Sequence, residues 1–416
     1  MKRYSEKYKK LSENFKFYIN NKILSKIKKR FVFKREKERK EKEGFKMKKK
    51  IMMLLTVALL LICGASAVAS EENSEKMKVI FDTDNGVFGD DTKALFMMLN
   101  SGKIDLLGIT TVIGNNWVEA STAYTLRHLE LAGRTDIPVY MGMGEPLMGD
   151  HTPYLENGML TGIVGGNIGY MGGPRPDSYL NLPEEPVIGY PTIEPQEGHA
   201  VDFIAEQVKQ YPGEVTIICV GAGTNLAMAV KRYSEIVPLV KQVVYMGGAI
   251  DVPGNTTAAA EFNWWADPEA IKICLNSDFA RQVIVPKDIC AKARITYDTY
   301  EKIKAAPETY ATKLFMEISG PNHEGNPDYT NTLWDEVTVL YLLDPSFVTG
   351  TEERYLDIDT TMGMNYGRSI GYRVNPRRPD DFVINPLAKK VEVLLDMDVE
   401  HFMNLYVEYF TMAPQE

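Results

Sequence analysis

The sequence predicts an α/β protein: a single large domain with a mostly parallel open sheet and helices on both faces. Two observations carry this expectation. Short β-branched apolar runs alternate with helix-patterned segments from Lys78 onward, as in sheets covered on both sides. That block, about 340 residues with no internal repeat and no convincing linker, is also large enough to bury one core.

In chain order, "KVIFDTD" is the first strand, "DDTKALFMMLNSGK" the first helix and "LLGITTVIG" the second strand. "ASTAYTLRHLELAG" and "IPVYMG" repeat the alternation as helix and strand. Residues 148–197, with "GGNIGYMGGPRPDSYLNLPEEP", are too long for an ordinary connection and read as an active-site flap or insertion. The alternation then resumes through "AVDFIAEQVKQYP", "VTIICVG", "NLAMAVKRY", "QVVYMGG", "DPEAIKICLNS" and "RQVIVPKD". Beyond residue 346, "YLDIDTTMGMNYGRSIGYRV" reads as added strands and "DVEHFMNLYVEYF" as a closing helix.

The amino-terminal region differs from this block. Residues 1–46 are a basic, low-complexity extension, read either as a mis-assigned start ahead of Met47 or as a basic arm attracted to anionic lipid. Residues 47–69 have a basic start, an apolar centre and a small-residue end, the pattern of a secretory signal cleaved before Ser70. An uncleaved membrane anchor is the competing reading, which makes export, with or without membrane attachment, the expected localisation. Residues 70–416 form the domain. Of the 47 Lys and Arg, 21 lie in residues 1–50 with only 6 of the 56 Asp and Glu, so the remainder carries a formal charge of −24. That charge disfavours a nucleic-acid polymer as partner and favours a cation or a neutral small molecule. Cys219, Cys274 and Cys290 sit in apolar surroundings and form no disulfide framework or zinc motif.

In open α/β sheets, ligands bind beyond the carboxyl ends of the strands. The stretch "FDTDNGVFGDD" places Asp82 and Asp84 at the end of the first strand, and Asp90 and Asp91 where the next helix begins. The positive end of the helix dipole eases the approach of two adjacent carboxylates. Four carboxylates facing one crevice still repel unless a cation joins them or some hold a proton. With oxygen donors and no neighbouring His or Cys, the expected cation is hard, calcium first and magnesium second. Asp82 is the member expected to be structural. A phosphatase-like DxD is the rival reading, but "DTDNG" lacks the expected hydroxyl residue and leaves Asp90 and Asp91 without a role.

The ordered blocks "DTDNGVFGDD", "GITTVIGNN", "RTDIPVYMG", "VGAGTNLAMA", "VVYMGGA", "PGNTTAAAEFNWWADPEA" and "LWDEVTVLYLLDP" resemble the inosine-uridine-preferring nucleoside hydrolase family over residues 78–345. The first block has the longer of two spacings found in that family. The resemblance implies a Ca²⁺ ion held by Asp84, Asp91, the backbone carbonyl of Thr224 and Asp335, with Asp84 as the catalytic base. It also implies Asp90 against a ribose hydroxyl, Asn115, Asn255, Glu261 and Asn263 gripping the sugar, and Met246 packed near it. A homo-oligomer, dimer or tetramer, follows from the same resemblance.

Many family members carry a His immediately before the last metal Asp, where this chain has Trp334. That departure removes one route for protonating the leaving base and resembles a purine-preferring branch, in which aromatic rings sandwich the base. Packing against helix neighbours is the plainer reading of Trp334. Tyr154, Tyr170, Tyr179 and Trp117 are candidates for a second aromatic wall, and His323 and Tyr329 lie in a loop that could close as a lid. The expected function is calcium-dependent hydrolysis of the N-glycosidic bond of ribonucleosides, purines favoured. The alternatives are a nucleoside- or ribosyl-binding protein without turnover, and a hydrolase of another ribosyl compound.

Overall fold

The first apolar run becomes strand β1 (Met77–Thr83), buried on both faces from Val79 onward. Its side chains alternate between two cores. Val79 and Phe81 enter one and Ile80 enters the other, the period-2 placement that a central strand imposes. Strands β2 (Ile104–Thr111), β3 (Val139–Met141), β4 (Thr216–Cys219), β5 (Gln242–Met246) and β6 (Gln282–Val285) follow from the expected runs. A two-residue pair, β7 (Arg294–Ile295) and β8 (Asn331–Thr332), stands apart from the main sheet, which is completed by β9 (Val348–Ile358), β10 (Ser369–Tyr372) and β11 (Lys389–Met397).

The structure, a computed structural model, describes residues 76–164, 168–373 and 385–415, all in the unit Glu75–Glu416. The expectations for the extension 1–46 and the signal or anchor 47–69 lie outside the described residues. Among those described, no helix is long and apolar enough to cross a membrane.

The nine main strands run in the order β10-β9-β11-β6-β5-β4-β1-β2-β3. From β3 through β6 to β11 all neighbours are parallel, and antiparallel pairing is confined to β11, β9 and β10 at one edge. The chain moves from β1 out to β3 on one side and then returns to β4 on the other. This reversal opens a crevice at the carboxyl ends beside β1.

Helix α1 (Asp90–Asn100) is buried from Asp91 to its end and has no polar face. Helix α2 (Val118–Leu131) follows β2, and α3 (Ala200–Gln210), α4 (Thr224–Arg232) and the short α5 (Phe262–Ala266) with α6 (Pro268–Leu275) accompany β4 to β6. Helix α7 (Tyr297–Ala305), α8 (Tyr310–Ile318), α9 (Asp335–Leu343) and the closing α10 (Val399–Thr411) complete the set used below. Residues from α1, α9 and α10 share one core with β1, whereas α3, α4 and α6 line the other.

The described residues of the long segment 148–197 include a short helix, Thr152–Glu156, and a 3-10 turn, Gly169–Gly172, and are otherwise irregular. It is anchored. Tyr170 and Met171 join Val112, Ile113, Trp265 and Tyr366 in a third cluster. Cys219, Cys274 and Cys290 are buried free thiols.

Candidate active site

Asp84 is the first residue after β1 and is fully buried. Its Oδ2 accepts the backbone amide of Asn115 at 2.5 Å. Gly114 makes this approach possible, because a Cβ there would lie 1.9 Å from the same oxygen. Its other oxygen, Oδ1, is buried without a hydrogen-bond partner.

Asp90 and Asp91 open α1, and Asp335 opens α9. Each offers one carboxylate oxygen, and these atoms lie within 4.8 Å of one another. Burial drives the Asp84 carboxyl well above the usual range, and Asp91 and then Asp90 add to the effect. Burial likewise raises Asp335, followed by the charges of Asp90 and Asp91. Asp91 is raised by burial and by Asp90, although Thr83 donates its hydroxyl to Oδ1. Anionic groups so crowded need a counter-charge or protons. Oxygen-only donors and the unsatisfied Oδ1 of Asp84 fit a hard cation of the calcium or magnesium type.

The structure places Thr224 differently from expectation. As the first residue of α4 its carbonyl is committed to the helix ladder, and its hydroxyl donates to Asp267 Oδ2 at 2.7 Å. Val220 is the β4-end residue tied to the cluster. Its amide donates to the Asp82 carbonyl at 2.9 Å, its own carbonyl accepts Asn263 Nδ2 at 2.7 Å, and the next residue, Gly221, abuts Asp84. The resemblance had pointed to the Thr224 carbonyl; a backbone carbonyl leaves no mark on residue type.

Asp82 sits inside β1 and faces protein groups. It accepts Thr110 Oγ1 at 2.6 Å and Asn225 Nδ2 at 2.7 Å, and burial raises its pKa to about 6 against these bonds. Asn85, next to Asp84, is equally engaged: Thr92 Oγ1 donates to its Oδ1, and its Nδ2 faces His128 Nδ1 at 3.0 Å. His128 Nε2 lies 2.9 Å from the Val87 carbonyl, which can only accept, so Nε2 carries the proton and Nδ1 accepts from Asn85. Neither residue was anticipated from sequence, and together they tie the loop between Asp84 and Asp90 to α2.

On the other side of the crevice, Met246 ends β5, and Asn263 donates to its carbonyl at 3.1 Å. Glu261 caps α5: its oxygens accept the amides of Asn263, Trp264 and Gly248, the last at 2.8 Å, so its carboxylate joins the helix start to the end of β5. Asn255 Oδ1 accepts the Phe262 amide at 2.9 Å. Asn115 is half-buried and touches the cluster through its backbone. Trp334 is half-buried, precedes Asp335 directly and packs against the main core; its amide donates to Glu336 Oε2 at 2.9 Å.

The remaining aromatic candidates are engaged in the flap and loop. Trp117 donates from Nε1 to the Gly173 carbonyl at 3.0 Å and meets Tyr170 edge to face. His151 is buried against Tyr154, Trp265 and Tyr366, and Tyr366 donates to Glu269. His323 is buried in a stack with Tyr300 and Phe315.

Comparison with known proteins identifies the family. The inosine-uridine preferring nucleoside hydrolase family profile matches residues 79–404. The chain is 33% identical over 281 residues to the probable uridine nucleosidase 2 of Arabidopsis thaliana, covering 67% of this chain and 81% of that protein. It is 30% identical over 339 residues to the pyrimidine-specific ribonucleoside hydrolase RihA of Citrobacter koseri, covering 80% and 97%. Among solved structures, the purine-preferring ribonucleoside hydrolase from Gardnerella vaginalis superposes with a TM-score of 0.61 at 26% identity, covering 80% of this chain and 98% of that one. Matches of this extent, agreeing in fold and reaction, place the chain in the inosine-uridine preferring nucleoside hydrolase family as an N-ribosyl hydrolase.

Proposed function

We propose that this protein hydrolyses the N-glycosidic bond of ribonucleosides in a calcium-dependent reaction, with purine nucleosides favoured. The carrying observation is the carboxylate cluster: Asp335 completes the group formed with Asp90 and Asp91, and the half-buried Trp334 directly precedes it.

The ion would be held by Asp84, Asp91, Asp335 and a β4-end carbonyl, for which Val220 replaces Thr224. When bound, calcium supplies fixed positive charge that draws sugar hydroxyl oxygens and a water into the crevice. Asp84, whose Oδ1 lacks a protein partner, takes the proton of the attacking water. Asp90 accepts a hydrogen bond from a ribose hydroxyl, while Asn115, Asn255, Glu261 and Asn263 shape the sugar side and Met246 packs beneath it. The clustered negative charge stabilises the oxocarbenium-like state at the anomeric carbon. Trp334 stacks on the departing base. Export and assembly into a homo-oligomer belong to the same proposal.

Ribose release from inosine, guanosine, adenosine, uridine and cytidine, each with calcium and with chelator, tests the reading. Chelator-sensitive release with purines ahead supports it. The names of the Arabidopsis and Citrobacter relatives favour a second reading, pyrimidine preference, and a ranking led by uridine would select it. Binding without release would select a ribosyl-binding protein.

A further inference from the structure

Helices α1 and α9 pack against each other with their carboxylate-bearing first turns at the same crevice. Beyond those carboxylates both are largely apolar, yet each buries one further charged residue near that end, Lys93 in α1 and Glu336 in α9. Lys93 Nζ lies 3.2 Å from Glu336 Oε1, with the two side chains 3% and 0% exposed. Lys93 is two residues after Asp91, and Glu336 is one after Asp335. The second oxygen of Glu336 accepts the Trp334 amide at 2.9 Å, and the Lys93 ammonium lies 5.6 Å from the centre of the Phe88 ring in the loop that links Asp84 to Asp90.

We propose that Lys93 and Glu336 form a buried brace that sets the separation of Asp90 and Asp91 from Asp335, and so tunes the cluster for the size of its cation while fixing the backbone of Trp334. The inference rests on the cation reading given above. Net charge does not explain the pair, because one positive and one negative side chain cancel. Hydrophobic residues of similar volume would pack the helices as well without desolvating two charges. What the pair adds is a close charge contact at a defined distance, with the other Glu336 oxygen fixed by the Trp334 amide, between the helices that carry Asp90, Asp91 and Asp335 and beside the loop that follows Asp84. Outer groups that orient ligands in this way commonly govern metal affinity by about 10- to 100-fold.

The test uses the double variant Lys93→Met/Glu336→Gln. Removing Lys93 alone would leave a buried anion unpaired and, by deleting a positive charge, strengthen cation attraction; the double change avoids both effects. The carboxamide introduced by Glu336→Gln keeps an acceptor for the Trp334 amide. Calcium and magnesium affinities are measured calorimetrically on metal-free wild type, the double variant and Asp335→Asn, with melting temperature recorded in chelator. The expected result is a double variant that melts near wild type in chelator, binds calcium at least about 10-fold more weakly and discriminates less between calcium and magnesium. A double variant matching wild type in affinity and discrimination overturns the brace, while calcium binding by wild type but not by Asp335→Asn leaves the site standing. A wild type that binds no calcium overturns both. If the double variant does not fold, Lys93→Arg is measured in its place; it keeps the charge but changes the tie's length, and unaltered discrimination there also overturns the proposal.

Discussion

His128 offers a quantitative test of how the loop between Asp84 and Asp90 is held. Burial lowers its pKa from 6.5 to about 4, with the Val87 bond opposing and Arg127 assisting the shift. The neutral ring satisfies both its contacts, whereas a second proton at Nδ1 would face the Asn85 amide group, itself a donor. In the unfolded chain the ring takes a proton as the pH falls through 6.5; in the folded protein it does so only near 4. The stability it contributes is therefore full above pH 6.5 and is lost as the pH falls toward 4. Linkage gives a loss of about 2 kcal/mol between pH 7 and pH 5, and about 3 kcal/mol in all. Asp82 has the opposite sign, since its raised pKa of about 6 makes stability fall as pH rises toward that value. Comparing wild type with His128→Gln cancels such background terms. Urea unfolding in chelator at pH 7 and pH 5 should show the wild type losing about 2 kcal/mol more than the variant. Parallel losses in the two proteins would refute the assigned neutral tautomer and its hold on the loop.

Other substitutions divide the aspartates and test the base wall. Asp84→Asn should reduce ribose release by at least about 100-fold, the usual scale for losing a positioned base, and retained release would remove Asp84 from that role. Asp82→Asn should lower unfolding free energy by roughly 1–3 kcal/mol through misfit with Thr110 and Asn225, leaving the KM for nucleosides close to wild type; a large KM change would place Asp82 in the substrate site. Trp334→Ala should slow inosine cleavage far more than cleavage of a nitrophenyl riboside, whose leaving group needs no help, and equal losses would make Trp334 a packing residue.

Much of the frame was readable because strands buried on both faces need uninterrupted apolar runs, and "KVIF", "VTIIC" and "RQVIV" announce them without tertiary information. Part of the carboxylate cluster was readable from position, since Asp84 follows the first strand and Asp90 and Asp91 open the next helix beside it, whereas Asp335 was legible only through the resemblance of "LWDEVTVLYLLDP". Thr224 shows the limit, since its carbonyl was named through resemblance alone and residue type says nothing of where a backbone carbonyl points. Glu261 was legible only through the resemblance, and that its oxygens accept three backbone amides became visible only in the fold. The Lys93–Glu336 pair left a faint trace. "DDTKALFMML" and "WDEVTVLYLL" are helices without a solvent face, each with one charged residue beyond its crevice carboxylates, but only the fold joins segments so far apart.

The placement of Asp335 has a consequence for how the protein is made. Asp84, Asp90 and Asp91 emerge early in synthesis, whereas their companion carboxylate lies near the other end of the domain, after every parallel strand from β1 to β6. A nascent chain therefore holds an incomplete cluster through most of its elongation. Any ion that prefers the completed arrangement adds its binding energy only once the chain has reached α9. Ion capture would then favour chains that extend through α9 over shorter ones, before turnover begins.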